Sequence, residues 1–88
     1  MLLLPAELTH DQAAACCRML TQSLRSHPDA AVVADAGALA RFDSSALAVL
    51  LALKRRATVE RIPLTFDAIP AALDSLARVY GVEALLTS

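Results

Sequence analysis

The chain has 88 residues, a formal net charge of −1 and a composition that is 57% hydrophobic but only 3% aromatic. That length suits a single domain over residues 1–88, because two halves would each be too small to bury a useful core. The core must be a close mesh of Ala, Leu and Val, and the near-neutral charge excludes the broad basic face that a nucleic-acid binder needs. Cys16 and Cys17 are neighbours, poorly placed to bridge each other and without zinc-site spacing, so a reduced, cytosolic chain is expected. Met1 to Pro5 carries no positive segment and meets a proline before an apolar run can form, which argues against a secretory signal. The longest apolar run, residues 46–53, is too short to cross a bilayer.

In chain order, Leu2-Leu3-Leu4 predicts a short buried strand ended by Pro5, with an open edge at the N-terminus. Thr9-His10-Asp11-Gln12 matches a capping box, in which the Thr9 hydroxyl accepts from a helical amide, Gln12 reaches back, and Leu8 staples onto Ala13. The helix that follows places Ala13, Cys16, Cys17, Leu20 and Leu24 on one side, and His27-Pro28-Asp29 ends it. Residues 30–34 are continuously apolar, the pattern of a central strand covered on both faces, and Asp35 and Gly37 close it. A helix is expected from Asp43-Ser44-Ser45 to about Glu60. Ile62 to Phe66 reads as the third strand, with Pro63 at its start or on an edge. Pro70 opens a last helix whose stripe is Leu73, Leu76, Ala77 and Tyr80, Gly81 closes it, and residues 83–88 form a hydrophobic tail. The alternation of three strands and three helices predicts an α/β fold with parallel pairings through right-handed crossovers.

In such a sheet, sites form where strands end and the next helices begin. Asp43, Ser44 and Ser45 occupy that position and suit a helix cap, a nucleophile or a phosphorylation switch. A nucleophile is disfavoured: there is no G-x-S-x-G elbow, and His10 and His27, the two candidate bases, fall in a first helical turn and a His-Pro turn. No enzyme, metal or cofactor is expected, and two distant glycines give no nucleotide loop. Leu47, Val49, Leu50, Leu51 and Leu53 point in too many directions for one buried stripe, so part of the helix should expose an apolar face rimmed by Lys54, Arg55 and Arg56. Asp43, Ser44, Ser45, Leu47, Leu50, Leu51, Lys54 and Arg55 are the expected partner-binding residues.

The run VVADAGALARFDSSALAVLLALKRRA resembles the central strand, D-S/T-S/x-G-L motif and following helix of STAS domains, the group that includes anti-sigma factor antagonists. IPLTFDAIPAALDSLARVYGVEALL is similar to the closing strand and helix of the MlaB-type members, and LLLPAELTHDQ to their opening strand and turn. The resemblance implies a STAS-like fold with a small, mostly parallel or mixed sheet flanked by helices. It implies that Ser45 stands where antagonists carry a phosphorylated serine and Ser44 where MlaB-type proteins carry a contact threonine. Ala46 replaces the usual glycine, and a first strand present in many relatives is absent, which leaves the Leu2 to Leu4 edge available to another chain. The implied role is a non-catalytic cytoplasmic subunit, peripheral to an inner-membrane complex, that binds the ATPase of a phospholipid-transport ABC transporter maintaining outer-membrane lipid asymmetry. The alternative is an antagonist controlled by an anti-sigma factor kinase through phosphate on Ser45 or Ser44.

Overall fold

A computed structural model of the chain describes residues 2–26 and 31–87. Among these the elements are β1 (Leu2–Leu3), β2 (Glu7–Leu8), α1 (Ala13–Arg25), β3 (Val32–Asp35), β4 (Arg41–Phe42), α2 (Ser44–Val59), β5 (Leu64–Asp67), α3 (Ala71–Val79) and α4 (Glu83–Thr87). β3 is the centre of a three-stranded parallel sheet, with Leu2 opposite Ala34 on one side and Val32 opposite Leu64 on the other. Parallel neighbours cannot be joined by tight turns, so α1 and α2 serve as the crossovers. The fold is α/β, as the alternation of patterns predicts.

A second parallel pair, β2 with β4, sets Glu7 opposite Arg41 and Leu8 opposite Phe42. The sequence pattern places these residues in connections, since two-residue strands are too short to display a period. Backbone bonds fix them instead: the Ala40 and Arg41 N–H groups both donate to the Ala6 carbonyl, at 2.8 and 3.0 Å.

The expectation that the central strand is covered on both faces is corrected. β3 alternates between buried Val32 and Ala34 and half-exposed Val33 and Asp35, and the neighbouring Leu3 and Thr65 are exposed. Helices therefore cover one face, where Leu2, Val32, Ala34 and Leu64 lie, and small residues had disguised the two-residue period. Within the helical layer α2 touches α1, α3 and α4 and also meets β5. That central place explains its weak amphipathicity. Ala46, Leu47, Val49, Leu50, Leu53 and Ala57 are all buried, because neighbours close on the helix from several directions.

The helix ends follow local chemistry. At α1 half of the expected capping box forms: Gln12 Oε1 accepts from the Thr9 backbone N–H at 2.8 Å. The Thr9 hydroxyl also donates to Gln12 instead of accepting from an amide, and α1 begins one residue after Gln12 with no side-chain cap. Pro70 caps α3, and past its end Gly81 has φ of 71°, a conformation glycine adopts at little cost. Leu73 and Ala77 are buried and Leu76 partly so, but Tyr80 is 59% exposed, because it falls at the C-cap, beyond the packed stripe. The hydrophobic tail packs back as α4, with Leu86 in the core. The turn expected at His27-Pro28-Asp29 lies outside the described residues, as do Met1, Ala30 and Ser88.

Candidate functional site

Asp43 is extended and ends the loop that leaves β4, so its carboxylate turns back over the first turn of α2. Its Oδ1 accepts from the Ser45 backbone N–H at 2.8 Å, satisfying one of the amides that a helix start leaves unpaired. Its Oδ2 accepts from the His10 backbone N–H at 3.1 Å. One carboxylate thus ties the start of α2 to the turn before α1, across the β2–β4 pair. The Ser45 backbone N–H foremost, then that of His10, hold the Asp43 carboxyl below the usual aspartate range. Slight burial opposes them, and the Ser45 hydroxyl and the His10 charge add to the lowering. The carboxylate stays ionised at any physiological pH.

Ser44 is exposed and Ser45 half-buried, so the two hydroxyls are not equivalent. Ser44 heads a stripe open to solvent along the whole helix: Ala48, Arg55 and Val59 are exposed and Leu51 is half-buried. These positions recur at intervals of four and three residues, which places them on one face. Between α2 and α4 the stripe borders a groove lined by Leu51, Lys54, Arg55, Val59 and Leu85. Val59 and Leu85 are 69% and 56% exposed, an apolar surface beside two basic residues. The Lys54 ammonium donates to the Leu64 carbonyl, which anchors its side chain over β5.

Most of the predicted site residues therefore meet on one surface. Asp43, Ser44 and Ser45 stand at its head, with Leu51, Lys54 and Arg55 further along it. Leu47 and Leu50 do not reach it: they are 4% and 0% exposed and belong to the core beneath. The outward apolar residue that the pattern of leucines did not point to is Val59, at the end of α2. The contribution of Leu85 had no local signal, because it comes from a helix folded back from the end of the chain. Of the histidines considered as bases, His10 meets Asp43 through its backbone N–H, and His27 lies outside the described residues.

Charge is also distributed by the topology. Strands β3 and β5 end in Asp35 and Asp67, at the end of the molecule where Asp43 caps α2. The last turns of α1 and α2 place Arg25 and Arg56 at the opposite end, beside Arg55 and Arg61. Anions near helix N-termini and cations near C-termini both complement the helix dipoles.

A layer of helices on one face of a small parallel sheet, with a carboxylate-capped helix start presented beyond the central strand, is consistent with a STAS-like fold. The family model described as "Mlab, STAS domain" matches residues 1–87, and the chain belongs to that family. No curated protein matches it.

Proposed function

We propose that this STAS domain is a non-catalytic accessory subunit that binds the ATPase of a phospholipid-transport ABC transporter maintaining outer-membrane lipid asymmetry. The observation that carries the reading is the solvent-open stripe of α2, which starts at Ser44 and runs past Leu51 and Arg55 to Val59. Asp43 and Ser45 fix the helix start from which the contact begins, and Lys54 and Arg55 supply its basic rim. Leu47 and Leu50 support the stripe from beneath. Among the described residues no helix is long and apolar enough to cross a membrane, in keeping with a subunit held at an inner-membrane complex through its protein partner. The docked domain would stabilise ATPase assembly without touching lipid.

Affinity purification of the tagged protein from its native cells tests the reading. An ABC ATPase should co-purify, and Ser44→Leu should deplete it while the thermal midpoint stays close to wild type, since the side chain is exposed. Recovery of an anti-sigma kinase and no ATPase would overturn it. The second reading, a phosphorylated antagonist, draws on the exposure of the Ser44 hydroxyl. The neighbouring ionised Asp43 opposes a phosphate there. Phosphate on Ser44 or Ser45, found by mass spectrometry of protein from cells, would favour that alternative.

A further inference from the structure

The C-terminal half of α2 separates two grooves, and the one on the α1 side is chemically distinct. Arg18 and Arg25 line it from α1 and Arg56 from α2, over a floor containing Ala52. Arg18 and Arg25 are seven residues apart, two helical turns or about 10 Å along one face. Ala52 keeps the floor low enough for the three guanidiniums to overlook a common trough.

The local charges do not balance. Among the described residues Glu60 is the acid that serves this group, with Oε1 at 3.4 Å from Arg25 Nε and Oε2 at 3.1 Å from Arg56 Nε. Both arginines approach it through Nε, and among the described residues neither makes a further ion pair. Arg18 makes none at all among those residues. Among the described residues, three positive charges and one negative leave the trough two charges in excess, on a chain whose net charge is −1. The bridging of Glu60 also shows that the Arg25 and Arg56 side chains can converge on a carboxylate.

From this we infer that the α1–α2 groove is a second docking site, which takes an acidic segment of a partner protein. The trough is open rather than enclosed, so a small anion would stay mostly hydrated, and each exposed ion pair would contribute little. A segment carrying several carboxylates at the spacing of Arg18 and Arg25 engages all three guanidiniums together. Planar guanidiniums recognise carboxylates in paired hydrogen bonds, which gives such a segment a defined register. The site is separate from the solvent-open stripe of α2 and does not depend on the partner proposed for that stripe.

Fluorescence anisotropy on the full chain tests the inference. The probe is a labelled helical peptide with glutamates spaced like Arg18 and Arg25, and its glutamine counterpart is the control. The acidic peptide should bind and the control should not, with Kd rising as salt is added. Arg18→Glu should weaken binding roughly fivefold or more, without moving the thermal midpoint, because among the described residues Arg18 has no ion pair to lose. Arg25→Gln should weaken it also. Equal binding of the two peptides, indifference to Arg18→Glu, or a salt-independent Kd would overturn the inference. Sedimentation with anionic phospholipid vesicles in the absence of peptide binding would also overturn it, in favour of a lipid surface.

Discussion

Asp43 shows how one carboxylate joins a cap to a tertiary tether. Its two oxygens serve different segments, the α2 start and the turn before α1. Because its folded pKa is lowered, the stability it adds is present above the ordinary aspartate value near 4 and is lost as pH falls through the lowered folded value. Wild type should therefore melt above Asp43→Asn at neutral pH, with the gap closing in strong acid; a constant gap across the titration would deny Asp43 this role. The cysteines make a second contrast at this scale. Burial foremost, and the neighbouring Cys17 after it, push the Cys16 thiol up, while Cys17 is only half-buried beside the arginine trough. In the native protein Cys17→Ser should alkylate far more slowly than Cys16→Ser, as followed by mass spectrometry at neutral pH. The sequence already put both cysteines on the apolar side of α1, and their inequality comes from the angle between adjacent helical positions.

Among the elements, α2 decides what could be read in advance. Its extent, Ser44–Val59, agrees with the expected span, and its cap is the carboxylate that the motif suggested. That it exposes a face was expected, but which leucines lie on it was not legible, since a helix wrapped by α1, α3 and α4 has no single apolar stripe from which to infer the opposite side. Adjacent leucines now separate the two roles. Leu50→Ala removes a fully buried side chain and should cost about 3 kcal/mol in denaturant unfolding. Leu51→Ala should cost under about 1 kcal/mol and act instead on partner binding. Similar losses for both would place Leu51 in the core. The β2–β4 pair is the opposite case: its strands were invisible to pattern, yet they carry the chain into Asp43 in the required direction.

On the scale of the whole molecule, the parallel order of strands was legible from alternating apolar runs, because a buried strand and a packed helix each need a length that composition reveals. That helices cover only one face was not, since alanine fits either a buried or an open position. The charge arrangement follows from topology as well. Parallel crossovers align the helices, so caps and last turns gather carboxylates and guanidiniums at opposite ends. Electrostatic complementarity acts mainly on association rate. Stopped-flow binding to an acidic partner should slow as salt rises, with dissociation changed much less, whereas a purely apolar contact would show neither trend.

A nearly neutral body with separated poles experiences little net pull from a distant charge but a definite torque. The molecule measures 32 Å along its longest axis, and salt confines electric fields to about 8 Å at physiological ionic strength. Turning is therefore left to the last approach: an incoming anionic surface swings the guanidinium end toward itself only once the two nearly touch. The salt-sensitive part of its association is therefore that final alignment, made over the last few ångströms of approach.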